Sequence, residues 1–199
     1  MLAYTVELGG VPARLADETG IWDNPFCCPD PEAVPAMEAR VEEARAVKDS
    51  LGGVVEVRVR GCPPGLGEPV FDKLDAALAQ AVMSVGAVKG VEIGAGFAAA
   101  RMLGSEHNDP IVPGGFATNN AGGILAGISN GDDIVVRAAV KPIPSIAREQ
   151  QTVDLAGQPR TLTIAGRHDL SAIPRIVPVL QAMVRLTLAD FLLRQRAIA

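Results

Sequence analysis

Two hydrophobic periods alternate along this chain. Residues 52–61, GGVVEVRVRG, switch between apolar and polar at nearly every step, with Val55, Val57 and Val59 on one side and Glu56, Arg58 and Arg60 on the other. That spacing predicts a strand with one buried and one wet face, the habit of antiparallel sheets. Residues 70–85, VFDKLDAALAQAVMSV, repeat at three- and four-residue steps instead, which predicts a helix with Phe71, Leu74, Leu78, Val82 and Val85 on its apolar side. Residues 31–48, acidic early and basic late, predict another helix in the polarity its dipole favours. Around 172–196, Ile176, Val179, Leu180, Met183 and Leu186 form one stripe while Val177, Val184, Leu188, Phe191 and Leu192 cover much of the other side. Such a helix is expected to be buried on more than one face.

Shorter runs complete the pattern. YTVEL (4–8) and VKGVEIG (88–94) read as strands, and GGILAGI (122–128) is joined to DIVVRAAVKP (133–142) by SNGD, a hairpin signal. TVDLAG and RTLTIAG (152–166) supply two more strands. Residues 103–121 lack periodicity and are rich in Gly, Pro and Asn, so they read as a long loop. One-sided strands and two-sided helices pack most simply with helices between sheets. The expected fold is therefore α+β, a layered β/α/β sandwich of antiparallel sheets enclosing core helices, in a single domain over residues 1–199. The first thirty or so residues offer one short strand and then irregular sequence, as if their packing partners lay elsewhere.

Composition narrows the class. Hydrophobic residues are 48% against 21% charged, which points to a globular chain, and aromatics at 4% leave the core to Ala, Val, Ile and Leu. A net charge of -5 argues against general nucleic-acid binding, which needs a basic face. The three cysteines, Cys27, Cys28 and Cys62, are odd in number without metal-ligand spacing, and read as reduced thiols. Neither a signal peptide nor an apolar run long enough to cross a bilayer is evident, so a cytoplasmic protein with no membrane partner is expected.

Three stretches could carry chemistry. In AVKPIPSIA (139–147) two prolines end the strand and free the N–H groups of Ile143 and Ser145; with Lys141 and the Ser145 hydroxyl they suit a phosphate or a planar heterocycle, or else form only a rigid turn. In GRHD (166–169), Arg167 could fork onto an anion and Asp169 accept a proton or a ring N–H, or Asp169 could simply cap or staple the helix that follows, with His168 merely exposed. In GSEHND (104–109), Glu106, His107 and Asp109 lack metal-site spacing, and a hydrogen-bonded loop or an edge of a ligand pocket is the expectation, with no metal. The glycines form neither a dinucleotide fingerprint nor a P-loop.

Taken in order, GLGEPVFDKLDAALAQAVMSVGAVKGVEIGAGFAAARMLGSEHND, NNAGGILAGISNG, VVRAAVKPIPSI, QTVDL and GRHD resemble chorismate synthase from about Asn24 to the C-terminus. The resemblance implies a lyase of the shikimate pathway that converts 5-enolpyruvylshikimate 3-phosphate to chorismate and phosphate by anti 1,4-elimination. It implies reduced FMN as cofactor, NADPH as a candidate reductant, and a homotetramer of β/α/β sandwiches. Carried over by motif, the flavin contacts fall on Gly86, Ala87, Ala126, Lys141, Pro142, Ile143, Pro144, Ser145 and Arg167, and the catalytic carboxylate near the flavin on Asp169. Gly86 stands where the family has Asn. Ala126 replaces a glycine, which alanine tolerates where φ is negative. The family's N-terminal portion, with its two catalytic histidines and its substrate-binding arginines, has no match, and neither His107 nor His168 corresponds to those histidines. The domain is thus expected to be incomplete at its N-terminus and inactive alone; the alternative is a non-catalytic flavin-binding or oligomerisation module that pairs with a separate N-terminal chain.

Overall fold

The computed structural model describes residues 1–198. In chain order its elements are β1 (Leu2–Leu8), β2 (Val11–Pro12), α1 (Val34–Ala46), β3 (Gly53–Val59), α2 (Leu74–Met83), β4 (Val88–Ile93), α3 (Gly104–His107), β5 (Ile111–Val112), β6 (Gly115–Phe116), β7 (Ile124–Leu125), β8 (Ile128–Ser129), β9 (Ile134–Val140), β10 (Gln150–Val153), β11 (Pro159–Leu162) and α4 (Ile173–Ile198). Five strands form one antiparallel sheet in the order β2-β1-β3-β9-β4. The other strands pair two by two, β5 with β6, β7 with β8 and β10 with β11. The architecture is α+β with antiparallel sheets.

Helices α2 and α4 pack on each other and on one side of the large sheet. That side presents Val55, Val57 and Val59 of β3, Ile134, Val136, Ala138 and Val140 of β9, and Ala3 of β1, all buried. Leu74, Leu78 and Val82 of α2 meet it, as do Ile173, Ile176, Val177, Leu180, Val184, Leu188 and Phe191 of α4. Each fully buried leucine here is worth about 2 kcal/mol of transfer free energy. The buried positions of α4 follow one another by one to four residues and occupy a single face. Val179, Leu186 and Leu193, seven residues apart, stay exposed. The expectation of two buried faces is met on one. At this length and composition α4 is also apolar enough to cross a membrane, contrary to the reading of the sequence, but its buried stripe lies on the sheet.

Several local expectations are corrected. Helix α2 begins at Leu74, after an extended Lys73, so Phe71 lies outside it and is 95% exposed. The N-terminal segment finds its partners within the chain: β1 sits between β2 and β3, and Ile21, Phe26, Cys27 and Cys28 are buried with it. Thr5 Oγ1 donates to the Phe26 carbonyl at 2.6 Å and its N–H to the Cys27 carbonyl at 3.0 Å, which ties that irregular stretch to the strand. All three cysteines are free and buried, and burial pushes their thiols up in pKa.

The largest departure is on the polar side of β3. Glu56 is 4% exposed, because strand register places Tyr4, Glu56, Arg137 and Glu92 directly across β1, β3, β9 and β4. The Tyr4 hydroxyl donates to Glu56 Oε1, Arg137 Nε to Oε2 at 2.9 Å, and Arg58 Nη2 to Oε1 at 3.0 Å. Alternation on β3 therefore separates an apolar interior from an ionic row whose centre, Tyr4 and Glu56, is buried while its guanidinium groups stay partly in water.

Glu56→Ala is expected to cost about 3 kcal/mol, the low end for breaking a buried pair, because Arg58 and Arg137 keep about a third of their side chains in water. A urea melt measures it. Burial, then the hydrogen bond to Glu56 and its charge, push the Tyr4 phenol above its ordinary range. The unfolded phenol ionises near pH 10. The folded chain retains its proton longer, so stability holds below about pH 10 and falls as pH rises beyond it. Tyr4 is the single tyrosine, so phenolate absorbance should appear together with unfolding, and Tyr4→Phe should remove that alkaline slope.

Candidate functional site

At the end of β9 the chain runs Lys141-Pro142-Ile143-Pro144-Ser145. Two residues without an N–H end the ladder there. The last bond back to the sheet is Lys141 N–H to the Ala87 carbonyl at 2.9 Å, which sets the turn between α2 and β4 beside Lys141. In that turn Gly86 is exposed, with open space where a Cβ would stand, and Ala87 takes a positive φ of 72°. Ile143 and Ser145 are half-buried. Their N–H groups donate to no protein acceptor among the described residues.

A short crossing segment ties this stretch to GRHD. Ser50 Oγ donates to the Ile143 carbonyl at 2.7 Å, and Leu51 N–H donates to the Leu170 carbonyl at 2.7 Å. A Cβ on Gly52 would lie 2.4 Å from the Val140 carbonyl oxygen and 3.0 Å from Pro142 Cδ, so only glycine permits the approach. Arg167 is exposed and, like Lys141, has no carboxylate partner among the described residues. His168 Nε2 lies 3.0 Å from the Ile164 carbonyl. Asp169 is held by Arg175 from the first turn of α4, at 2.8 Å and 3.1 Å to its two oxygens. Ser171 Oγ, not Asp169, accepts the N–H of Ile173 at the helix entry, at 3.2 Å. Asp169 therefore staples the helix through a side chain without capping it.

Ala126 lies elsewhere. The stretch 122–128 is not one strand: β7 and β8 close a hairpin on Ala126 and Gly127, both at positive φ (53° and 83°), as a primed two-residue turn demands. The negative φ expected for alanine is not adopted. The Gly127 carbonyl accepts the N–H of Leu74 at the start of α2, whereas Ala87 lies just past the end of that ten-residue helix. At 1.5 Å per residue this separates them by about 15 Å. The structure thus brings Ala87 beside Lys141 past the end of α2, links Ile143 through Ser50 and Leu51 to Leu170, next to Asp169, and leaves Ala126 at the start of α2. The predicted hairpin of 122–128 with 133–142 does not form, since β9 pairs with β3 and β4 instead.

The carboxylates of GSEHND serve backbone groups. Glu106 Oε2 accepts the Leu103 N–H at 2.7 Å. Asp109 accepts Thr118 Oγ1 at 2.6 Å and the N–H groups of Asn120 and Ala121 at 2.7 Å and 2.8 Å. Burial works to raise the Asp109 pKa, but those three bonds outweigh it and hold the carboxyl below its ordinary range. Two site residues escaped the sequence reading: Ser50, whose partner is far along the chain, and Arg175, whose six-residue distance from Asp169 is no standard helical spacing.

The family model for chorismate synthase matches residues 1–193. The chain belongs to the chorismate synthase family. The match takes in the opening residues as well, which the sequence comparison by motif had left out before Asn24. A chorismate synthase of Nitratidesulfovibrio vulgaris is 67% identical over 197 residues, covering 99% of this chain and 56% of the relative. One of Syntrophobacter fumaroxidans is 69% identical over 191 residues, covering 96% and 54%. A crystal structure of chorismate synthase superposes with a TM-score of 0.79 at 33% identity, over 98% of this chain and 56% of the other. The chain thus spans a little over half the length of the chorismate synthases it matches.

Ala126→Gly is expected to stabilise the chain by roughly 1 kcal/mol, because it relieves a left-handed alanine whose exposed methyl packs on little. The midpoint of urea unfolding should rise accordingly. Below about pH 4, where an unfolded Asp109 takes up a proton, the folded loop still holds the carboxylate. Its contribution is present above that pH and is lost as pH falls through the lower folded value. Asp109→Asn should therefore flatten the acid limb of stability.

Proposed function

We propose that this chain carries the flavin edge of a chorismate synthase-type lyase, which converts 5-enolpyruvylshikimate 3-phosphate to chorismate and phosphate by anti 1,4-elimination with reduced FMN. One observation supports the reading above the rest: stretches far apart in sequence are tied together, 86–87 to 141–145 by the Ala87–Lys141 bond, and 141–145 to Leu170, which directly follows GRHD, by way of Ser50 and Leu51. The residues present suit a flavin. The unengaged N–H groups of Ile143 and Ser145 match the acceptors along the edge of a planar heterocycle, and Gly86 leaves space where a side chain would stand. Reduced FMN, when bound, supplies the transient electron that eases departure of phosphate.

The protein's own groups do the rest. Lys141 and Arg167, without carboxylate partners among the described residues, supply two cations for an anionic cofactor or phospho-substrate. Asp169 offers a carboxylate oxygen as a proton acceptor, and Arg175 fixes its orientation by two bonds. Pro142 and Pro144 keep the segment extended, so the N–H donors need no reordering on binding. We further propose a homotetramer in the cytoplasm, with NADPH as a reductant of the flavin. Turnover by this chain alone is expected to be absent, because His107 and His168 do not match the family's catalytic histidines. Misplaced substrate alone costs on the order of a hundredfold in rate.

The second reading, a non-catalytic module that pairs with another chain, is favoured by the exposed row Val179, Leu186 and Leu193 on α4. Titration with reduced FMN, with and without 5-enolpyruvylshikimate 3-phosphate and with assay for chorismate, tests both. Flavin binding without chorismate is the expected result. Chorismate formation would overturn the inactivity of the chain alone, and absence of flavin binding would overturn the flavin site.

A further inference from the structure

Residues 49–52 lie between α1 and β3, outside both, yet the Asp49, Ser50 and Leu51 N–H groups, both polar side chains and the Gly52 carbonyl are all engaged. Lys48, at a positive φ of 58°, ends the course of α1, and Asp49 N–H bonds back to the Ala44 carbonyl at 2.9 Å. Asp49 then holds the Ser50 N–H with Oδ1 at 2.9 Å, while its Oδ2 meets Arg148 at 3.3 Å, just beyond the KPIPS segment. Ser50 itself is buried, at 8% exposure. Its hydroxyl bonds neither to the large sheet nor within the helical layer; it reaches one carbonyl, that of Ile143 between two prolines. The next N–H, of Leu51, reaches Leu170, directly after GRHD.

Beyond Lys141, the 142–145 segment has no other backbone bond to the fold among the described residues. A stretch with two prolines cannot be recruited into a ladder, so its distance from Asp169 is set by something outside it. From this geometry we infer that Ser50 is a positioning residue: with Leu51 it forms a clasp, anchored to the end of α1, that fixes the separation of the KPIPS and GRHD segments and so the width of the flavin edge. The inference rests on the flavin reading for its functional consequence, but not for its structural content. It assigns to Asp49–Gly52 a role that neither the proline turn nor the charged loop performs.

The test compares Ser50→Ala, which removes the donor, with Ser50→Thr, which keeps it. Two readouts are taken on the full chain, amide hydrogen exchange without ligand and titration with reduced FMN. In Ser50→Ala the Leu51 and Lys141 amides, whose acceptors are Leu170 and Ala87, should exchange about three- to tenfold faster, the range expected for one neutral hydrogen bond. The Val57 amide at the centre of the sheet should keep the wild-type rate. FMN affinity should fall by the same three- to tenfold, and Ser50→Thr should restore both within about twofold. Equal acceleration at Leu51, Lys141 and Val57 would reduce Ser50 to general stability and overturn the proposal, as would no change at any of them. Unchanged FMN affinity despite a loosened segment would overturn the positioning role as well. Should the wild-type chain bind no FMN, the flavin reading fails and the exchange pattern alone decides the clasp.

Discussion

A single transverse row of side chains, Tyr4, Glu56, Arg137 and Glu92, governs how this sheet can pair. It crosses four strands at matched register, and its central carboxylate lies out of water with a phenol and two guanidinium groups as its partners. Slipping β3 or β9 by one residue would turn Glu56 or Arg137 into the aliphatic interior and break the pair between them. Hydrophobic burial sets how tightly the sheet and helices hold. The ionic row sets which pairing they hold in. That second function matters in a core so poor in aromatics, where many interchangeable valines and alanines tolerate more than one register.

Register in turn delivers the site. Because Val140 pairs with Gly53 and Val88, the next residue of β9 emerges beside the turn that follows α2, and Lys141 meets Ala87. Gly53 leads back through Gly52 to the segment that contacts Ile143 and Leu170. The charged loop, the proline turn and the helix turn are therefore tied to one end of the central strands by the Lys141–Ala87 and Leu51–Leu170 backbone bonds and by the Ser50 hydroxyl, and the Lys141 and Arg167 side chains have no carboxylate partner among the described residues. The Asp169–Arg175 pair adds a further side-chain constraint, and it ties the loop to the longest helix in the fold.

Much of the fold was legible where the signal is local. The alternation of β3, the apolar steps of α4 and the strand-ending prolines at 142 and 144 act over a few residues and were readable as such. What escaped depends on partners far away. Glu56 looks solvent-facing until Tyr4, 52 residues earlier, is placed opposite it. Ser50 looks like a turn residue until Ile143, 93 residues on, accepts its hydroxyl. The hairpin at Ala126 was hidden for another reason: alanine carries no turn preference, and only the backbone reveals that it adopts a conformation glycine would take without strain. Local chemistry marked the KPIPS and GRHD stretches as candidates, with a rigid turn and a helix cap or staple as alternative readings; the choice between those readings, and Gly86, Ala87 and Ala126, came from motif resemblance. In the structure Ala87 meets Lys141 past the end of α2, whereas Ala126 lies by its start.

The interior also holds a clock. Cys27, Cys28 and Cys62 sit in the core with their thiols shifted away from the thiolate form, so the folded chain presents no reactive sulfur among the described residues. Cys27 and Cys28 lie on the N-terminal stretch laced to β1, whereas Cys62 follows β3 and has its own neighbours near Ser129. An alkylating reagent can consequently reach them only in moments when those two regions part from the rest. Their rates of modification would count such openings separately, turning an otherwise inert trio of sulfurs into a record of which portion of the molecule breathes first.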